Sequence, residues 1–115
     1  MVCRMELQGL GAEAAAQGLA PSSILAITSD EPEALRPWQE KLGPAVRLLA
    51  DPERSAIRDY GLVHPRAHHG KDAARPAHFV IGVDGRIVEV HRSDDVLDRP
   101  DPREPVAALR RAAAR

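Results

Sequence analysis

An Asp84-Gly85 pair set between two apolar runs constrains this chain more than any other stretch. The pair tolerates positive φ at both central positions of a two-residue turn, so it reads as the tip of a β-hairpin. Upstream, His78-Phe79-Val80-Ile81-Gly82-Val83 is almost continuously apolar, as a strand covered on both faces must be. Downstream, Ile87-Val88-Glu89-Val90-His91-Arg92 drifts into alternation, which places it at a sheet edge. Arg75 and Pro76 stand at the entrance. An X-Pro bond has lost most of the trans preference, so Pro76 serves either as a cis reversal beside a site or as a trans residue opening a strand where no N–H is needed.

The remaining chain alternates helix and strand. Residues 4–17 read as a helix with an apolar stripe of Met5, Leu7, Leu10, Ala14 and Ala15, ended by Gly18 and Pro21. Residues 23–28 (SILAIT) form a short strand. Ser29, Asp30 and Pro32 then start a second helix that runs to Leu42 and stops at Gly43-Pro44. Pro37 lies inside it, where a missing N–H predicts a bend or a delayed start. A strand at 46–49 and a helix at 53–60, ended by Gly61, follow. Residues 62–71 have no periodicity and read as a loop. The proline-rich stretch 94–105 connects to a terminal helix at 106–113, with Val106 and Leu109 inward and Arg110, Arg111 and Arg115 near the negative end of its dipole. The order specifies an α/β fold.

Composition excludes several functions. With 16 basic against 17 acidic residues the chain has no global field for nucleic acid or an anionic membrane, and neither partner is expected. The three aromatic residues, Trp38, Tyr60 and Phe79, leave an aliphatic core and no base-stacking platform. At 115 residues one domain is expected. Glu6 and Glu13 interrupt any leader-like apolar core, and no run reaches the roughly 20 apolar residues of a membrane span. Cys3 is the sole cysteine, so no internal disulfide forms; a reducing, cytoplasmic location is expected. His64, His68 and His69 lack acidic or thiol ligands at a metal-site spacing, so neither a metal nor another cofactor is expected.

Cys3 precedes the first helix, where N-terminal N–H groups and the dipole lower a thiol pKa. The competing reading is a small packed or mobile residue at a fraying terminus. Arg75 likewise has two readings, a charged donor at a site or one partner of a surface ion pair.

Arg75-Pro76-Ala77-His78-Phe79-Val80-Ile81 with its Val-Asp-Gly-Arg-Ile turn resembles the redoxin branch of the thioredoxin superfamily, which includes the peroxiredoxins of the alkyl hydroperoxide reductase and thiol-specific antioxidant type. Cys3-Arg4-Met5-Glu6-Leu7, ILAITSDEPEAL and RLLADPERSAIRDYGL are similar to further redoxin segments, so the resemblance covers roughly residues 3–92. It implies a truncated thioredoxin-like α/β fold: a mixed sheet of about three to four strands, a C-terminal hairpin and flanking helices. It also implies that Pro76 is cis and faces the reactive cysteine. By the same resemblance Cys3 takes the peroxidatic position, Arg75 matches within one residue the arginine that polarises the peroxide, and Pro76 and Arg4 contact substrate.

The family places a strand, a loop and a Pro/Thr motif or first cysteine before this cysteine, and only Met1 and Val2 stand there. That strand would lie between those at 23–28 and 78–83, so the chain reads as an N-terminally incomplete redoxin domain. Two functions follow. One is a thiol peroxidase acting on a small peroxide, with an external thiol reductant, thioredoxin-like or of low molecular weight. The other is a catalytically silent binding domain, as a homodimer whose partner covers the open sheet edges. Disulfide exchange with partner proteins is weaker, because a lone cysteine cannot release a mixed disulfide unaided.

Overall fold

The computed structural model describes residues 2–68, 70–74, 76–92 and 101–113, the side chains of residues 2–4, 64, 66–68 and 71–74 excepted. Helix α1 (Val2–Ala16) leads into strand β1 (Ile24–Thr28), helix α2 (Pro32–Leu42) and strand β2 (Val46–Ala50). The two strands are parallel, with Ile24 opposite Val46 and Thr28 opposite Ala50. Parallel neighbours need a crossover, and α2 supplies it. Its Leu35 and Leu42 bury against Val46 and Leu48 of β2, with Leu7, Ile24, Ala26, Trp38 and Ala50 around them. Strand alternation turns Leu25 and Ile27 of β1 to the opposite, exposed face.

Side chains finish what the ladder leaves open. The Gln39 amide of α2 donates to the Val46 carbonyl at 2.7 Å and accepts from the Leu48 N–H at 2.7 Å, which satisfies the outer edge of β2. Asp30 does not cap α2 as expected: its carboxylate accepts from the Thr28 hydroxyl at 2.8 Å, and Glu31 is the N-cap without a side-chain bond. The helix begins at Pro32 and continues through Pro37. Burial of Leu35 and Leu42 on either side anchors it despite the lost hydrogen bond.

In α1 the buried face is Leu10 and Ala14, while Met5 is 69% exposed and Ala15 is also outside. The reason is a close helix crossing. A Cβ built on Gly11 would stand 2.8 Å from the Leu42 carbonyl oxygen, so only glycine permits the approach that seats Leu10 and Ala14. The helix closes on Gly18 (φ +69°), with Leu19 N–H donating to the Ala14 carbonyl and Gly18 N–H to that of Ala15.

Asp51, 7% exposed, ends β2's extension and organises helix α3 (Ser55–Asp59). Its carboxylate accepts from Ser55 N–H and Oγ at 2.9 and 3.1 Å and from Ile57 N–H at 3.1 Å. Burial opposes the charge, but these donors outweigh it and hold the carboxyl below its usual pKa.

Residues 62–71, expected as a loop, carry two strands instead. β3 (Val63–His68) and β4 (Lys71–Ala74) pair antiparallel through Val63–Ala74, His64–Ala73 and His68–Lys71, with an irregularity between His64 and His68. Of the three histidines in this segment, from which no metal site was expected, His64 and His68 lie on β3, and His69 falls outside the described residues. Backbone pairing made this hairpin; no apolar alternation signals it.

The hairpin β5 (Ala77–Ile81) and β6 (Ile87–Arg92) is present. Its turn differs from expectation: only Gly85 takes positive φ (+85°), with Gly85 N–H donating to the Gly82 carbonyl and Gly82 N–H to that of Arg86. This is a three-residue loop whose left-handed residue closes it. β5 is not covered on both faces, since Ile81 is exposed and Val80 alone is fully buried, against Ala108 and Ala112 of helix α4 (Arg103–Ala113). β6 is an exposed edge, as expected. Asp101 receives the Arg103 N–H and guanidinium, which lower its pKa to about 2 and start α4 before the expected Val106. Val106 is buried, Leu109 half-buried, and residues 94–100 and Arg115 lie outside the described residues. Among the described residues the strands therefore pair two by two, where one sheet of three to four was expected. Among the described residues no helix is long and apolar enough to cross a membrane.

Gly11→Ala is expected to lower stability by about 1–2 kcal/mol, because overpacking against backbone outweighs the helix propensity alanine gains. Urea unfolding measures it. For Asp51, a folded pKa below the unfolded value of about 3.9 gives stability that is complete above that pH and lost as pH falls through the folded pKa. Acid unfolding of Asp51→Asn should thus be less steep in that range, from a lower starting stability at neutral pH.

Candidate thiol site

Cys3 and Arg4 occupy the first turn of α1, where backbone N–H groups have no partner inside the helix and carry the positive end of its dipole. Glu6, one turn after Cys3, reaches β5: its Oε2 stands 3.2 Å from His78 Nε2, and both side chains are largely buried, at 11% and 21% exposure. The two are close enough for an ion pair when the imidazole is protonated, but not aligned as a hydrogen bond. His78 lies two residues after Pro76, which is buried. One contact therefore joins the segment that begins with Cys3 to the segment that begins with Pro76.

His91, directly opposite His78 on β6, stacks on it with centroids 6.0 Å apart and rings inclined by 28°. Glu6, His78 and His91 form a titratable cluster that residue-by-residue reading missed. Two signals pointed to it: the i, i+3 spacing of Glu6 from Cys3, and histidines on both arms of the hairpin. Counting from the turn alone sets His78 opposite Val90; the bulge between Val80 and Ile81 shifts the register and brings in His91. Among the described residues His78 Nδ1 meets no hydrogen-bond partner.

Of the expected site residues, Cys3 and Arg4 are placed by backbone and Pro76 by backbone and burial. Arg75, and with it the bond into Pro76, lies outside the described residues. Tyr60 at the end of α3 meets Phe79 edge to face, with centroids 5.0 Å apart, and this ties α3 to the same strand.

A family model described as the AhpC/TSA family matches residues 1–90. The chain belongs to the AhpC/TSA family. Solved structures agree with this assignment at the level of fold. A cysteine-to-serine mutant of peroxiredoxin 6 from Arenicola marina superposes with a TM-score of 0.72 at 19% identity, over 95% of this chain and 55% of that one. Reduced Prx3 of Vibrio vulnificus, in complex with hydrogen peroxide, gives 0.69 at 20% identity, over 90% and 66%. The bacterioferritin comigratory protein of Xanthomonas campestris, described for its alkyl peroxide reduction activity, gives 0.68 at 20%, over 96% and 70%. The AhpC/TSA chain thus has the thioredoxin-like fold of peroxiredoxins, and spans about half to two thirds of the first two. No curated protein sequence matches it.

A double-mutant cycle of Glu6→Gln and His78→Gln at pH 6 should return a coupling of about 0.5–1 kcal/mol, in the range of partly exposed ion pairs. The same variants should speed hydrogen exchange of the α1 amides from Glu6 to Leu10, the first to be bonded within the helix, because the contact that holds the helix start to β5 is gone.

Proposed function

We propose that this AhpC/TSA-family chain is a thiol-dependent peroxidase of redoxin type that uses Cys3 as its peroxidatic thiolate. The Glu6–His78 contact carries this reading, because it ties the helix start bearing Cys3 to the strand entered through Arg75 and Pro76. The helix N-terminus favours the thiolate. Its sulfur attacks one peroxide oxygen, the O–O bond breaks, and the leaving alkoxide takes a proton and departs as alcohol or water while Cys3 becomes a sulfenic acid. Arg75 stabilises the developing negative charge with a planar, permanently protonated fork. Arg4 and Pro76 shape the substrate side.

Because the chain has a single cysteine, reduction falls to an external thiol, thioredoxin-like or of low molecular weight. One thiol condenses with the sulfenic acid and releases water; a second displaces the mixed disulfide and restores Cys3. A reducing cytoplasm is the compartment that supplies such thiols. A second reading, a catalytically silent binding domain, is favoured by the exposed Leu25 and Ile27 of β1.

Alkylation of Cys3 by iodoacetamide across pH separates the two: the peroxidase requires a thiol pKa well below the ordinary value of about 8.5. Peroxide consumption with dithiothreitol should vanish in Cys3→Ser and fall about 10²–10³-fold in Arg75→Gln, as for loss of one transition-state donor. An ordinary thiol pKa without Cys3-dependent turnover removes the peroxidase reading.

A further inference from the structure

The spacing of Cys3, Glu6 and Leu10 along α1 puts these three positions on one helix face. Leu10 is buried beside a cleft of about 420 Å³ between β1 and β5, which Ala77, His78 and Phe79 also line. The face that includes position 3 is therefore the one turned to β5. Glu6 sits on it with its carboxylate largely buried, 3.2 Å from the His78 imidazole. A carboxylate one turn from a thiol opposes its ionisation, because like charges repel. By itself, the charge of Glu6 offsets part of what the helix N-terminus gives to Cys3.

The proton on His78 decides whether that opposition is felt. Protonated, the imidazole neutralises Glu6; neutral, it leaves the carboxylate's field on the helix start. Histidine is the side chain that changes charge in the range where activated thiols ionise. The groups around it do not take over this role. His91 stacks on it from β6 and, as a second imidazole, disfavours a second proton. Further along the same face Glu89 pairs with Arg111 of α4 at 3.5 Å. Toward β5, α4 turns Ala108 and Ala112, which pack on Val80. Tyr60 meets Phe79 and so lies on the opposite face of the strand. Arg4 and Arg75 belong to the same two segments by sequence, and an arginine stays charged throughout, so each shifts the thiol by a constant amount.

We propose that His78 is a positioning residue for Cys3 that acts through Glu6: proton uptake by its imidazole removes the carboxylate's opposition to the thiolate as pH falls, so the sulfur stays ionised further into the acid range. The step moves one proton from solvent to His78, and Glu6 and the thiolate keep their charges. This deepens the reading of Cys3 as the reactive thiol and rests on it.

Ultraviolet thiolate absorbance of the full chain, read against Cys3→Ser, tests this when titrated in wild type, Glu6→Gln, His78→Gln and His78→Lys. The wild-type curve should be shallower than a single ionisation, following Glu6→Gln at its acid end and His78→Gln at its alkaline end. At about pH 6, His78→Gln should hold about three- to tenfold less thiolate than wild type, the scale of one nearby charge under partial solvent screening. In the Glu6→Gln background His78→Gln should change nothing further. His78→Lys, a cation across the range, should follow Glu6→Gln throughout. A contact that only braces the helix would move Glu6→Gln and His78→Gln in the same direction and gain nothing from lysine, and that outcome overturns the proposal. So does a wild-type curve of ordinary steepness, which needs no variant to fold. The expected pattern without Cys3-dependent peroxide consumption removes the peroxidase reading alone. A lowered thiol pKa indifferent to His78 removes this proposal alone, and an ordinary thiol pKa removes both.

Discussion

The parallel register of β1 and β2, locked by the α2 crossover, is the constraint from which the other elements take their positions. It buries Val46 and Leu48 under Leu35 and Leu42, and the Leu42 carbonyl in turn fixes how closely α1 can lie. Gly11 is the point of closest approach. Leu10 and Ala14 follow it inward, and the first turn of α1 is carried toward β5, where Glu6 meets His78. Helix packing on one side of the molecule thereby sets where the first turn of α1 lies on the other.

Polar side chains do the local finishing. Asp51 holds the N–H groups at the start of α3, Gln39 satisfies the outer edge of β2, and Asp101 starts α4. Each replaces partners that a continuous helix or ladder would have supplied. The edges of β1 and β5 that face one another have no such substitute among the described residues.

Much of the architecture was legible because it rests on local patterns. Glycines after helices, prolines at their starts and the apolar runs at 23–28, 46–49 and 78–83 act within a few residues, and the elements lie within a few residues of where those signals put them. Reading failed where contact between distant segments decides. The stripe that named Met5 and Ala15 lost to the Gly11 crossing. Asp30 was drawn off by Thr28. The β3–β4 hairpin arose from main-chain pairing in a segment with no apolar period.

What the sequence determined by itself is the family and the alternation of helix and strand, because redoxin-like segments, turn chemistry and hydrophobic period are all written in short runs of residues. It also placed a single cysteine at the opening of a helix, with a carboxylate one turn on. Tertiary structure alone decided that this carboxylate meets His78, that a bulge sets His91 beside it, and that β1 and β5 face one another across a gap. Those depend on register and helix crossing, which are settled by packing between residues far apart in the chain.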